Sequence, residues 1–235
     1  DIRSWTPAEA ADAVLLDAPC SATGIFRRHP DVLHRVEQRQ IDEMAVLQGE
    51  LLARAAALRT EILRHNITKY NVTGAVRPLP PSPGRKRILV VGQVEDDASI
   101  IFGAGRVRSN LGLLRAVREA APDAYIIWKP HPDVQSGYRR GYVPARRAAQ
   151  FADLVLMHGN IGPIFAQVDA LHSMTSLAGF EALLRGLPVT CWGRPFYAGW
   201  GLTTDMENCD RRQRKLTLDE LVAGSLILYP RYQDP

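Results

Sequence analysis

After residue 87 the chain repeats one pattern, in which a short apolar run precedes a stretch with apolar residues at helical spacing. The runs ILVVG, YIIW and PVTCW are short and rich in β-branched or aromatic residues, which is typical of buried strands. Strands that alternate with helices form parallel β-α units, whose ligands bind at the carboxyl ends of the strands. We therefore predict an α/β fold with a Rossmann-like parallel sheet. The predicted strands are 88–92, 125–128, 154–157, 169–172 and 188–192, and the predicted helices are 110–121, 176–185 and 216–228.

A proline-rich connector precedes this part of the chain. The stretch VRPLPPSPGRKR, residues 76–87, contains four prolines and a glycine, which exclude regular secondary structure. Before it, residues 36–65 carry apolar residues at helical spacing, which predicts one long helix or two helices with a break. The stretch AVLLD, residues 13–17, predicts a short buried strand that ends in a loop.

The N-terminal segment carries a distinctive loop, DAPCSATGIFRRHPDV. Over residues 1 to about 55 it resembles the bacterial rRNA cytosine-C5 methyltransferases. The resemblance implies that Asp17 and Pro19 lie beside the flipped target base and that Cys20 takes part in product release. The family also needs a Gly-rich turn for its methyl donor and a second cysteine to attack the base, and neither is found. We interpret the segment as a partial strand-plus-long-helix methyltransferase fragment.

Charge and composition point to an anionic partner. The net charge is +4, and basic residues cluster in 139–147 and 211–215. Such clusters suit nucleic acid, a nucleotide-sugar, an acidic glycan or anionic lipid, or they form a solvated surface. The three cysteines are widely spaced, which argues against a disulfide framework or a zinc site. No apolar run approaches the roughly 20 residues needed to span a bilayer.

Two motifs in the second part suit a phosphate group. KPHPDV follows the strand YIIW directly, so Lys129 and His131 are expected at its carboxyl edge, as a point charge and a directional N–H donor. In TSLAGFEALLRG, Thr175 or Ser176 is expected to cap a helix whose free N–H groups and macrodipole favour an anion. The small residues that follow, Ala178 and Gly179, would let a ligand approach the backbone. The alternatives are a structural histidine and an ordinary capped helix.

Two further stretches suit sugar chemistry. The loop EDDAS places three adjacent carboxylates, residues 95–97, after the first strand of the sheet. Adjacent carboxylates repel, so one is expected to keep a proton or act as a nucleophile, with a solvated turn or a metal site as alternatives. PFYAGWG combines Phe196, Tyr197 and Trp200 with glycines, which suits stacking on a sugar ring or a core-packing loop.

Six stretches in one order resemble the capsular polysaccharide β-Kdo transferases from residue 56 onward: ITKYNV, GQVEDDAS, KPHPDV, HSMTSLAGFEALLRG, PFYAGWGLT and LTLDELVAGSLILYPRYQDP. The resemblance implies the nucleotide-binding half of a GT-B glycosyltransferase. It also implies retaining transfer of Kdo from CMP-Kdo to a lipid-linked Kdo acceptor, in the cytoplasm and at the face of the inner membrane. No cofactor or metal is implied besides the donor substrate CMP-Kdo.

The same resemblance implies roles for individual residues. Lys129 and His131 would hold the CMP phosphate, the Thr175–Ser176 turn would cap its other oxygens, and Glu181 would meet the ribose. The further nucleotide-sugar-binding residues implied are Gln93, Ser99 and Pro132.

Catalysis and acceptor binding are assigned in the same way. Glu95, Asp96 and Asp97 would face the anomeric centre, with Asp97 as the first candidate for the nucleophile and Glu95 for the proton donor. Tyr197 and Trp200 would contact the acceptor.

The sequence thus predicts three parts: a methyltransferase-like fragment at 1–55, a helix end with the connector at 56–87, and a nucleotide-sugar-binding domain at 88–235. Because this arrangement supplies mainly one half of a GT-B enzyme, we expect weak binding of CMP or CMP-Kdo and little transfer. The alternatives are an rRNA cytosine-C5 methyltransferase or RNA-binding protein, although RNA is not the expected partner, and a non-catalytic scaffold at a membrane surface.

Overall fold

The computed structural model describes residues 38–70, 78–137 and 139–230. This part of the chain forms two compact units, one of residues 63–216 and one in which residues 38–62 associate with 217–230. The strand predicted at residues 13–17 lies outside the described residues. The three-part division at residues 55 and 87 stays a prediction, because it rests on motif resemblance whereas these units are defined by packing.

A six-stranded parallel sheet forms the centre of the larger unit. The strands are β1 (Arg87–Val91), β2 (Tyr125–Lys129), β3 (Leu154–Val155), β4 (Ala170–Ser173), β5 (Val189–Cys191) and β6 (Thr204–Asp205). Their spatial order is β3-β2-β1-β4-β5-β6, and every neighbouring pair is parallel. The predicted Rossmann-like parallel sheet is confirmed. From β1 the chain adds β2 and β3 on one side of the sheet, and it then continues with β4, β5 and β6 on the other side. The strand order therefore reverses between β1 and β4, and ligands of such sheets bind in the crevice at that point.

Helices and single helical turns connect the strands. They are α2 (Ala98–Gly103), α3 (Asn110–Ala120), α4 (Pro132–Gln135), α5 (Ala145–Ala148), α6 (Gly162–Phe165) and α7 (Leu177–Leu184). In α3 the apolar positions Leu113, Leu114 and Val117 are fully buried. The Ser109 hydroxyl group begins this helix by accepting the N–H of Gly112, which satisfies a backbone donor that the first turn leaves without a partner.

Residues 38–62 of the smaller unit belong to one long helix. Helix α1 runs without a break from Gln38 to Arg64, which confirms the single-helix alternative. Helix α8 (Leu218–Val222) begins with a capping box between Thr217 and Glu220 and continues as a π-helix over Ala223–Leu228. The helix predicted at 216–228 is therefore only in part an α-helix. Arg59 and Asp219 form an ion pair at 2.8 Å within this unit.

The core of the larger unit follows the alternation of side chains along its strands. Ile88 and Val90 lie opposite Ile126 and Trp128 on one face of the sheet, because successive strand residues point to opposite faces. The same apolar cluster includes buried residues of the helices and loops that cover this face, namely Ile100, Leu113, Leu114, Val117, Ala148, Met174 and Trp192.

Several short elements differ from the sequence prediction. The strand predicted at 154–157 contains only Leu154 and Val155. Strand β6 and the helices α2, α4, α5 and α6 were not predicted. Each has two to six residues, which is too short to display a hydrophobic period.

The carboxylate of Asp153 connects several parts of the larger unit. It accepts hydrogen bonds from the backbone N–H of Ile126 at 2.8 Å and from the guanidinium groups of Arg85 at 2.8 Å and Arg118 at 2.6 Å. Burial alone would raise the pKa of Asp153, but these three donors together hold it below its ordinary value. The charged form of Asp153 therefore stabilises the fold.

We predict that Asp153→Asn lowers the free energy of unfolding by about 1–3 kcal/mol at pH 7. Because the pKa of Asp153 is lower in the folded state, its contribution is present above the unfolded pKa and is lost as the pH falls through the folded pKa. The difference between parent and variant should therefore shrink toward about pH 3. Urea denaturation followed by circular dichroism measures this. Asp123→Asn removes an exposed carboxylate nearby, and an equal loss in that control would contradict the assignment.

Candidate functional site

A cleft opens at the carboxyl ends of β1, β2 and β4, where the strand order reverses. It consists of two adjoining chambers. The first, the Lys129 chamber, has a volume of about 100 Å³ and is lined by Val91, Gly92, Lys129, Pro130, Pro132, Gly159, Asn160, Ile161, Ala178 and Glu181, among others. The second, the Asp97 chamber, has a volume of about 360 Å³ and is lined by Gln93, Val94, Asp97, Ser99, Asp133, Arg139, Thr175 and Phe196, among others. Both chambers share Lys69, Tyr70, His131, Ser176 and Leu177.

Buried charge distinguishes the Lys129 chamber. Burial lowers the pKa of Lys129, because desolvation disfavours the ammonium form. Burial also raises the pKa of Glu181, an effect opposed in part by the backbone N–H of Lys69 and by Arg185. The Glu181 Oε1 atom accepts that N–H at 2.6 Å. Lys129 and Glu181, both predicted from sequence, therefore line one pocket.

His131 lies between the two chambers. Its Nδ1 atom accepts the backbone N–H of Asp133, and this hydrogen bond caps the N-terminus of α4. Its Nε2 atom lies 2.8 Å from the hydroxyl oxygen of Tyr70. Burial lowers the pKa of His131, so the neutral ring is favoured. Since Nδ1 accepts a hydrogen bond, Nε2 carries the proton and can donate it into the cleft.

The turn before α7 is held by Gln93. The Gln93 side chain donates to Thr175 Oγ1 and accepts the Thr175 backbone N–H, both at 2.8 Å. Ser176 is the residue that caps α7, because its hydroxyl oxygen accepts the N–H of Ala178. The buried Gln93 amide therefore fixes the Thr175–Ser176 turn at the edge of the Asp97 chamber.

The three carboxylates of the acidic loop point to different partners. Glu95 accepts the backbone N–H of Asn110 at 2.6 Å, Asp96 pairs with Arg139 at 3.2 Å, and Asp97 caps α2 by accepting the N–H of Ser99. Hydrogen bonds from Ser99 lower the pKa of Asp97, with smaller contributions from Arg139 and Lys69. The pKa of Asp97 is thus lowered rather than raised, so Asp97 is not the carboxylate that keeps a proton, and its expected role as the nucleophile stays a prediction.

Asn110 connects the acidic loop to the rest of the cleft. This residue is 1% exposed. Its Oδ1 atom accepts the N–H of Gln93 at 2.9 Å, and its Nδ2 atom donates to the carbonyl groups of Gln93 and Gly141, both at 2.8 Å. Asn110 thus holds Gln93 and the segment after Arg139 in place.

In the aromatic loop, Tyr197 packs in the core, which is the alternative to sugar stacking that the sequence left open. Tyr197 is fully buried, and its hydroxyl group donates to the carbonyl of Ser176. A Cβ atom at Gly179 would overlap that hydroxyl group, so the small residue serves packing rather than ligand approach. Tyr197 therefore has no exposed face for an acceptor sugar, whereas Phe196 is 44% exposed and lines the Asp97 chamber. The Trp200 indole N–H donates to the Phe196 carbonyl.

The structure brings most of the predicted binding residues into the cleft. Lys129, Pro132 and Glu181 line the Lys129 chamber, Gln93, Asp97, Ser99 and Thr175 line the Asp97 chamber, and His131 and Ser176 line both. Asp17, Pro19 and Cys20 lie outside the described residues.

Sequence reasoning missed Lys69, Tyr70, Asn110 and Arg139. The stretch ITKYNV contains the first two, but no chemistry could be assigned to it without the fold. Within the described residues no group of three or more His, Cys, Asp or Glu side chains could hold a metal ion. No helix in the same part of the chain is long and apolar enough to cross a bilayer.

Comparison with known proteins identifies the class of this α/β chain. Residues 73–232 match the family described as capsule polysaccharide biosynthesis protein. The chain therefore belongs to this family. Residues 1–66 match the 16S rRNA methyltransferase RsmB/F family.

Individual relatives agree with this placement. The chain is 51% identical over 181 residues to the capsule polysaccharide modification protein LipA of Neisseria meningitidis serogroup A, covering 77% of this chain and 26% of LipA. It is 43% identical over 195 residues to the lipopolysaccharide-processing protein LpsZ of Rhizobium meliloti, covering 82% of this chain and 44% of LpsZ. The chain thus spans about a quarter and less than half, respectively, of these two relatives.

A solved structure shows the same fold. The structure described as Thermosulfurimonas dismutans KpsC, beta Kdo 2,7 transferase, superimposes with a TM-score of 0.66 at 46% identity. The match covers 78% of this chain and 55% of that chain.

We predict that Asn110→Ala lowers the free energy of unfolding by about 2–4 kcal/mol, because it leaves buried backbone groups of Gln93 and Gly141 without partners. Chemical denaturation measures the loss. Asn208→Ala, at an exposed position, should change stability by less than about 0.5 kcal/mol. Comparable effects of the two substitutions would show that the Asn110 contacts do not stabilise the loop.

Proposed function

We propose that residues 63–216 bind the nucleotide-sugar CMP-Kdo and that the chain acts in capsular polysaccharide biosynthesis as part of a retaining β-Kdo transferase of the GT-B class. The observation that carries the proposal is that Lys129, His131 and Ser176 line one cleft at the point where the strand order reverses. Membership in the capsule polysaccharide biosynthesis family and the likeness to the beta Kdo 2,7 transferase support it.

The phosphate would lie where the two chambers meet. The Lys129 ammonium supplies charge, His131 donates from Nε2, and the first residues of α7 line the same space, where the helix macrodipole favours an anion. The Tyr70 hydroxyl oxygen now lies 2.8 Å from Nε2, so a phosphate oxygen would take its place. The ribose would then meet Glu181 in the Lys129 chamber.

The sugar would lie in the Asp97 chamber. The lowered pKa of Asp97 keeps its carboxylate ionised and able to attack. Asp97 would form a bond to the anomeric carbon while CMP departs with the bonding electrons, and its phosphate would be stabilised by Lys129 and His131. The acceptor hydroxyl oxygen would then attack the anomeric carbon as the Asp97 carboxylate departs, and the hydroxyl proton would pass to a second carboxylate that serves as the acid/base. The two inversions give retention.

Proton transfer and acceptor binding are assigned from the sequence. The Glu95 carboxylate accepts the Asn110 N–H, and its place as proton donor stays a prediction. Trp200 likewise stays a predicted acceptor contact. For the whole protein we propose a lipid-linked Kdo acceptor, a cytoplasmic location and peripheral contact with the inner membrane. For this chain we propose weak donor binding and little transfer.

Isothermal titration calorimetry with CMP tests the donor site. We expect saturable heat at millimolar nucleotide, and at least about tenfold weaker binding for Lys129→Met, because a charge-assisted contact to phosphate is lost. Lys215→Met removes the same charge from an exposed position and should bind CMP like the parent. Absence of heat from folded parent protein would refute the proposal.

The match of residues 1–66 to an rRNA methyltransferase family favours RNA binding as a second candidate function. Binding through phosphates should weaken steeply with salt. We expect no retention of an rRNA fragment in filter binding at about 150 mM salt, the physiological ionic strength. A saturable RNA complex under that condition, with no response to CMP, would favour the alternative.

A further inference from the structure

Two cationic side chains, Lys69 and Arg139, line the Asp97 chamber together with the neutral His131 ring. The carboxylates that line it are Asp97 and Asp133. Arg139 and Lys69 both contribute to lowering the pKa of Asp97, after the larger effect of the Ser99 hydrogen bonds. The fields of these two cations therefore reach the space beside the candidate nucleophile.

The chain around Arg139 is anchored to the acidic loop. The Arg140 carbonyl accepts the N–H of Glu95 at 3.0 Å, and the Gly141 carbonyl accepts Asn110 Nδ2 at 2.8 Å. Gly141 has a φ of +117°, and a Cβ atom there would overlap Asn110 and Gln93, so the close approach requires glycine.

The Arg139 side chain retains donors for a ligand. One terminal nitrogen pairs with Asp96 Oδ1 at 3.2 Å, and both side chains are more than 40% exposed. A guanidinium group has five N–H donors in a planar fork, which matches the two oxygens of a carboxylate. The exposed Asp96 pair contributes little energy, but it turns the guanidinium group toward the acidic loop.

We propose that Arg139, assisted by Lys69, binds the carboxylate of the donor sugar and so selects acidic sugars over neutral ones. This inference rests on the proposed binding of a CMP-linked sugar in the cleft. With the phosphate at Lys129 and His131, the sugar reaches the Asp97 chamber, where a neutral sugar has no charged group to offer to Arg139 and Lys69.

The assignment also resolves an electrostatic conflict in the proposed reaction. In a 2-ulosonic acid such as Kdo the carboxylate is attached to the anomeric carbon itself. An ionised Asp97 that approaches this carbon meets a second negative charge, and the two repel. Arg139 and Lys69 offset that repulsion from the chamber wall.

Calorimetric titration of CMP and CMP-Kdo into the parent protein and Arg139→Gln tests the inference. The parent should bind CMP-Kdo more tightly than CMP. Arg139→Gln should weaken CMP-Kdo binding about tenfold, the value of one charge-assisted contact, and change CMP binding less than about twofold. Arg139→Lys, which retains a point charge, should recover part of the loss.

Arg140→Gln is the matched control, because its side chain is exposed and does not line the chamber. It should leave both affinities unchanged. Equal weakening of CMP and CMP-Kdo by Arg139→Gln, or no weakening of either, would overturn the role in carboxylate recognition. Failure of the parent to bind CMP at all would instead refute the proposed donor site, and this inference with it.

Discussion

The two hydrogen bonds between the Gln93 side chain and Thr175 connect the ends of β1 and β4 across the point where the strand order reverses. A parallel sheet with this order leaves a crevice there in any case. The buried amide fixes the distance between its two edges, and Asn110 holds Gln93 from the other side. The positions of the acidic loop and of the α7 N-terminus both depend on this connection.

Much of the larger unit follows from hydrophobic pattern. Four- and five-residue apolar runs give the central strands, and because parallel strands end at one edge, motifs that follow them must meet there. This reasoning alone places Lys129, His131 and Ser176 together. Their exact partners do not follow from pattern, since a hydrogen bond such as that between His131 and Tyr70 joins residues 61 positions apart.

Other features depend on tertiary context that a sequence does not display. Nothing in the spacing of PFYAGWG distinguishes a buried Tyr197 from an exposed Phe196; the space above Gly179 decides it. The three carboxylates of the acidic loop likewise separate only because Asn110, Arg139 and Ser99 supply donors from different directions. A role can be assigned to Arg139 only when the fold shows that the acidic loop lies beside it.

A crystal structure of the protein with CMP tests the central claim most directly. The account predicts phosphate oxygens within hydrogen-bonding distance, about 2.7–3.2 Å, of Lys129 Nζ and His131 Nε2, with the Tyr70 hydroxyl group displaced from His131. Nucleotide bound away from the ends of β1, β2 and β4, with Tyr70 still on His131, would contradict it.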